Sequence, residues 1–226
     1  MIKYGDQISL VMISMNEEQA VAKVIEDIQK IDKRIEIVIV DSSSDKTAEI
    51  AKKMGARVFV QLPPIGYSPA MDLALKSATR DILITMDCDD TYPVTMIDKF
   101  SRIIADENYD VVDGSRLYKK PKFMPLINYL ANIFFGLIAS LLFFRYLLDL
   151  HSGMRAYRRD IIHNMPYNNQ GVSLPVELIL WPIRMKKKVK IISINYTERL
   201  GQSKLEPLKA AWWTVLRILW ARFKSY

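Results

Sequence analysis

The chain has 226 residues, half of them hydrophobic, enough for one domain with a sizeable core and too few for two full catalytic domains. Its formal net charge of +7 implies an anionic partner: nucleic acid, a phospholipid surface or a phosphorylated substrate. The single cysteine, Cys88, excludes an internal disulfide framework, and the N-terminal residues lack the pattern of a signal peptide, so the catalytic part is expected to face the cytoplasm.

In chain order, short apolar runs alternate with amphipathic stretches, the pattern of a mostly parallel sheet covered by helices. Ile8 to Ile13 is predicted as a strand and Glu17 to Ile31 as a helix, with Ala20, Val21, Val24, Ile25 and Ile28 on one face. Strands at Ile35 to Val40 and Ala56 to Val60 bracket a helix at Asp45 to Met54. Ser68-Pro69 offers a capping hydroxyl and a proline at the first helical position for a helix to Ala78. A strand at Ile82 to Met86 runs directly into Asp87-Cys88-Asp89-Asp90, where open α/β sheets bind ligands. Pro93 opens a helix to about Ala105, which Asp90 or Thr91 could cap, and Val111-Val112 is a further short strand.

Phe123 to Phe144 then contains no charged residue, a length that could cross a bilayer. Asn128, Asn132, Gly136 and Ser140 recur every fourth residue and make one small or polar stripe, so the helix is sided. Two readings follow: a helix lying in a membrane interface, or a buried core helix. From Leu205 to Tyr226, Trp212, Trp213 and Trp220 alternate with Lys209, Arg217, Arg222 and Lys224. That composition suits the headgroup level of a bilayer, or a terminal helix packed on the domain with a solvated basic face. The chain divides accordingly into 1–122, 123–148, 149–204 and 205–226.

Two carboxylates one residue apart at a strand end, Asp87 and Asp89, can aim at one divalent ion, which suits a diphosphate that needs counter-charge. A lone pair of this kind is weak evidence, because acidic loop residues are often solvated or cap helices. The larger set is more specific. It comprises Ser14-Met15-Asn16-Glu17-Glu18, Val40-Asp41-Ser42-Ser43-Ser44-Asp45-Lys46-Thr47 and Met86-Asp87-Cys88-Asp89. It continues with Asp110-Val111-Val112-Asp113-Gly114-Ser115-Arg116, Asp149-Leu150-His151-Ser152-Gly153-Met154-Arg155 and the stretch from Tyr196 through Arg199 and Ser203 to Lys204.

In order and spacing these segments resemble the inverting family-two glycosyltransferases, and among them the dolichyl- or polyprenyl-phosphate sugar synthases. The resemblance implies a GT-A (Rossmann-like) α/β fold, with amphipathic membrane-interface helices in the second half. It implies a metal-dependent hexosyltransferase that takes a sugar from a GDP-mannose or UDP-glucose type donor to a polyprenyl or dolichyl phosphate. It places Ile13, Met15, Glu17, Asp41, Asp87, Cys88, Asp89, Arg199 and Lys204 at the donor, with Asp41 at the base. Asp87, Asp89 and Thr91 become candidate ligands of Mg2+ or Mn2+; Arg116, Ser152 and Arg155 candidate holders of the acceptor phosphate; and Asp89, Asp149, Arg116 and Arg155 candidate catalytic residues. Arg116, Arg199, Ser203 and Lys204 would lie around phosphates, since guanidinium forks and an ammonium favour phosphate oxygens.

The chain departs from its family at Ile13, usually proline, at Met15, usually aromatic, at Lys46, often glycine, and at Thr91, where some relatives place a glutamine. Asp149 would orient or deprotonate the acceptor: a phosphate needs no strong base, whereas a lipid or glycan hydroxyl would make Asp149 essential. His151 and His163 lack partners at metal-ligand spacing and are read as structural or surface residues. A non-catalytic basic protein for membrane or nucleic acid has no use for carboxylates at three strand ends, and no nucleic-acid reading motif is present. The expected setting is peripheral or monotopic, on the cytoplasmic face of a membrane. Sequence leaves the donor's base and sugar and the oligomeric state open.

Overall fold

A computed structural model describes residues 1–198 and 206–225, so Arg199, Ser203 and Lys204 lie outside the described residues. The N-terminal half alternates β1 (Ile8–Ser14), α1 (Val21–Ile31), β2 (Glu36–Asp41), α2 (Thr47–Lys53), β3 (Arg57–Val60), α3 (Tyr67–Ser77), β4 (Ile82–Thr85) and α4 (Met96–Ala105). There follow β5 (Val111–Ser115), α5 (Leu126–Phe143), β6 (Arg155–Arg158), α6 (Arg159–His163), α7 (Leu174–Arg184), β7 (Val189–Ser193) and α8 (Pro207–Phe223).

The seven strands form one sheet in the order β3-β2-β1-β4-β6-β5-β7. β1 through β4 pair parallel, β6 enters antiparallel between β4 and β5, and β7 pairs parallel with β5. The strand ends after Ser14, Asp41, Thr85 and Ser115 therefore share one edge, together with the start of β6, because Thr85 is in register with Arg155. Residues from both sides of the α5 segment build this sheet, so 1–122 and 149–198 share one scaffold.

Strand residues alternate between two cores, as the two-residue side-chain period requires. Ile8, Leu10, Met12, Ile37 and Ile39 pack under α1, α2 and α4, whereas Val11, Val38 and Val40 pack under α3, α6 and α7. The apolar face expected for α1 is buried, including Val21, Val24, Ile25 and Ile28, but the helix begins at Val21; residues 18–20 form a turn in front of it.

Two predicted starts are corrected. α3 begins at Tyr67, one residue before the expected cap, and Ser68 is fully buried with its hydroxyl accepting from Arg217 rather than capping. α4 begins at Met96, and Thr91 spends its hydroxyl on Asp89 instead of on the helix.

α5 is long and apolar enough to cross a membrane by length and composition, and only 11% of it is buried, which overturns the core-helix alternative. The Gly136–Ser140 part of its small stripe faces the domain, whereas Asn128 is exposed; a Cβ on Gly136 would stand 2.6 Å from the Leu148 carbonyl, so only glycine allows this approach. Ser140 Oγ donates to the Gly136 carbonyl and accepts from the Leu147 N–H. The opposite face leaves Ile127, Leu130, Phe134, Leu137, Leu141 and Phe144 exposed, spaced alternately three and four residues apart as one helical stripe.

Candidate active site

The loops after β1 and β2 are knitted together by short polar side chains. Asp41 is fully buried; its Oδ1 accepts from Ser14 Oγ and Ser43 Oγ, both at 2.6 Å, and its Oδ2 from the Ser43 N–H at 3.1 Å. Asn16, held at φ 55°, accepts the Ser44 N–H at 2.8 Å and donates its own N–H to Ser43 Oγ at 2.7 Å. Thr47 Oγ1 accepts the Glu17 N–H at 2.9 Å, fixing Glu17 in a buried position beside this loop. A carboxylate held by several short donors is pre-oriented, which is what recognition of a flat heterocycle requires. Of the four family departures, Ile13 packs partly against the core and Met15 is exposed.

β4 delivers Asp87 to the same edge, half-buried, and Asp89, buried and accepting Thr91 Oγ1 at 2.6 Å. Thr91 thus positions Asp89: its hydroxyl hydrogen is spent on that carboxylate, its oxygen keeps its lone pairs, and the residue is fully buried. Cys88 also changes place. Side chains alternate at a strand end, so Cys88 turns into the core, with Sγ 3.5 Å from Met12 Sδ and burial pushing its thiol pKa up. Asp90, at φ 64°, turns aside to pair with Lys23 at 2.8 Å.

Among the described residues no group of three or more His, Cys, Asp and Glu is placed to hold an ion. Asp87 and Asp89 nevertheless fit a hard cation of the Mg2+ type, which takes one or two carboxylates and completes its shell from phosphate oxygens and water. Gly153 closes on this spot: a Cβ there would lie 3.0 Å from Asp87 Oδ2 and 3.1 Å from the Tyr92 hydroxyl, which accepts the Gly153 N–H at 2.7 Å.

The cationic side centres on Arg116, at the end of β5. Its Nε and Nη2 each donate at 2.8 Å to the two oxygens of Asp149, a bidentate pair with side-chain exposures of 9% and 0%. Tyr196 lies with its ring centroid 5.2 Å from the Arg116 guanidinium and packs edge-on against Tyr92 at 5.5 Å. Burial by itself would raise the Asp149 pKa, but the Arg116 guanidinium outweighs it and holds the carboxyl below its ordinary range. Among the described residues none accepts a hydrogen bond from Arg116 Nη1.

Arg155 and Ser152 are corrected. Arg155 is 1% exposed; it pairs with Asp113, its cross-strand partner, and donates to the carbonyls of Pro175 and Leu150. Ser152, equally buried, donates to the Gly114 carbonyl at 2.5 Å. Both brace the segment that carries Asp149, and neither faces an acceptor. Tyr92, Tyr196 and Asp113 escaped the sequence reading as site residues; Asp113 and Tyr196 sit inside quoted segments, whereas Tyr92 carries no spacing signal.

His151 is structural, as expected. Its Nε2 lies 2.8 Å from Thr214 Oγ1 of α8, its ring packs edge-on against Phe135 of α5, and its buried Nδ1 has no partner among the described residues. Burial depresses its pKa to about 4, against the attraction of Asp149 and with Arg116 and Arg155 adding to the depression. An unfolded histidine binds its proton near pH 6.5, so between about 4 and 6.5 the unfolded state holds more protons and stability falls as pH falls. We expect a loss of up to about 3 kcal/mol between pH 6.5 and 4, read by urea unfolding and largely removed by His151→Phe.

Glycosyl transferase family 2 matches residues 9–165. A dolichyl-phosphate hexose transferase of Haloferax volcanii is 42% identical over 203 residues, which cover 89% of this chain and 88% of that protein. A dolichol-phosphate mannosyltransferase of Pyrococcus furiosus is 28% identical over 184 residues, covering 76% of this chain and 51% of that protein. Among solved structures, the glucosyl-3-phosphoglycerate synthase of Mycobacterium tuberculosis, in complex with Mn2+, UDP and glucosyl-3-phosphoglycerate, superposes with a TM-score of 0.77. It is 20% identical, with 97% of this chain and 81% of that one covered, a likeness of fold alone. The mostly parallel sheet with helices on both faces is thus a GT-A fold, and the chain belongs to glycosyl transferase family 2, as a glycosyltransferase.

Proposed function

We propose that this glycosyltransferase moves a hexose, with inversion, from a nucleoside diphosphate sugar to a polyprenyl or dolichyl phosphate at the cytoplasmic face of a membrane. The observation that carries this reading is the Arg116–Asp149 pair. Both oxygens of Asp149 are engaged by Arg116 and its pKa is held down, which makes it a poor general base for a hydroxyl acceptor. A phosphate monoester, with a second pKa near 6, is already anionic at neutral pH and needs a cation to place it more than a base to deprotonate it. The 42% identity to a dolichyl-phosphate hexose transferase supports the same acceptor class.

In this reading Asp41 receives the base, Glu17 lies beside the nucleoside, and Asp87 and Asp89 would hold Mg2+ or Mn2+. That ion supplies counter-charge for the leaving diphosphate. Thr91 keeps Asp89 in position. Arg116, oriented by Asp149 and Tyr196, presents Nη1 to an acceptor phosphate oxygen and aligns it for attack on the anomeric carbon from the face opposite the leaving group. The exposed stripe of α5 and the exposed Leu208, Trp212, Val215, Leu219 and Phe223 of α8 would lie in the lipid interface, with exposed Lys119, Lys120, Lys122, Lys209 and Lys224 beside them for anionic headgroups.

Purified protein, incubated with Mg2+ or Mn2+ and labelled GDP-mannose or UDP-glucose over anionic vesicles containing polyprenyl phosphate, should yield a lipid-extractable, mild-acid-labile product that chelation abolishes. Transfer only to a hydroxyl acceptor would overturn the proposal.

A further inference from the structure

α8 shows the lipid-facing stripe on one side and on the other buries Ala210, Thr214, Arg217, Ile218 and Ala221. Two of those inward residues are polar, and each reaches a different part of the catalytic edge. Arg217 uses all five of its N–H donors: on the Val172, Asn168 and Gln170 carbonyls, on Glu177 of α7, and at 2.9 Å on Ser68 Oγ of α3. It fastens α8 to the scaffold, and its donors leave nothing to spare for a ligand.

Thr214 does something else. Its hydroxyl donates to the Ala210 carbonyl at 2.7 Å, the ordinary back-bond of a helical threonine, so its lone pair receives the Nε2–H of His151. The tautomer follows from this network. The His151 backbone N–H in turn donates to Asp149 Oδ1 at 3.2 Å, the oxygen that also accepts Arg116 Nη2. A hydrogen-bonded path thus runs from α8 through His151 and Asp149 to Arg116, and the 149–153 segment is pinned at its other end by Ser152 on Gly114 and by Gly153 on Tyr92.

We propose that Thr214 is a positioning residue for the transfer reaction, through which α8 sets the placement of the Arg116–Asp149 pair by way of His151. The inference rests on the assignment of Arg116 to the acceptor. The His151 ring also packs edge-on against Phe135 of α5 at 6.4 Å, and Thr214 supplies its one hydrogen bond among the described residues. Without the hydroxyl, a ring whose acceptor Nδ1 has no partner among the described residues also loses the partner of its Nε2–H donor, and the ring together with its backbone must shift.

Thr214→Val keeps the shape and removes the hydroxyl. With wild type active on its acceptor, the expected result is an acceptor KM raised about tenfold, the equivalent of one buried hydrogen bond, with donor KM unchanged. Thr214→Ser should restore it. His151→Phe, which removes the imidazole and so leaves no ring nitrogen unpaired, should raise acceptor KM alike, and combining it with Thr214→Val should add nothing further. That variant also carries the test if Thr214→Val fails to fold. A lowered melting temperature with both KM values unmoved, or full additivity of the two changes, would overturn the proposal. If wild type makes no lipid product, the acceptor assignment falls instead, and the same KM comparison is run with whichever acceptor wild type uses.

Discussion

Asp89→Ala is expected to lower the rate of transfer about a thousandfold at saturating donor and to remove the metal dependence of donor binding. Asp89 is buried at the mouth of β4, held by the Thr91 hydroxyl and N–H, so its geometry is set before any ligand arrives. The negative charge that builds on a departing diphosphate is where fixed opposite charge lowers the barrier most. With only Asp87 left, a hard cation would lose half of its protein ligands at this strand end. The fold should survive: truncation strands the Thr91 hydroxyl and N–H, a cost of about 1–3 kcal/mol that a melting curve would register. Calorimetric titration of a nucleoside diphosphate with and without Mn2+ provides the check. If Asp89→Ala still shows metal-stimulated binding, the ion is held elsewhere.

Arg155→Ala should lower stability by about 3–5 kcal/mol, a large loss for a single change. The guanidinium is 1% exposed and supports Asp113 and the Leu150 and Pro175 carbonyls, so its removal leaves a buried carboxylate without its counter-charge. Burial then drives Asp113 to take up a proton, the same tendency that already raises its pKa in the intact protein. Adding Asp113→Ala should cost less than the two single changes summed, because the stranded charge is gone, with a coupling of about 2 kcal/mol in urea unfolding. Equal midpoints for wild type and Arg155→Ala would show that the pair contributes no stability.

Much of the N-terminal half was legible in the chain. Short β-branched runs, each followed by an amphipathic stretch, gave β1 to β4 and their helices to within a few residues, because local periodicity reports burial directly when only one face of a helix is covered. The C-terminal half was not. α7 is buried on every side from Leu174 to Pro182 and so shows no amphipathic period, while β6 is four residues, Arg155–Arg158, two of them arginine. Its strand character comes from antiparallel pairing with β4 and β5, contacts more than 40 residues away that no local window contains.

The same division separates Arg116 from Arg155. In sequence each is an arginine in a motif beside an acidic residue, and both suited a phosphate. The register of β5 and β6 sets Asp113 opposite Arg155 and turns that side chain into the domain, whereas Arg116 stands just beyond the strand end, where the sheet no longer covers it. What the sequence determined by itself was which residue types gather at the strand ends, because strand and helix periods are local. Which of those charges stands beyond a strand end and which is consumed as a brace inside the domain was decided by tertiary pairing. A guanidinium binds a ligand only with donors the fold has left unused.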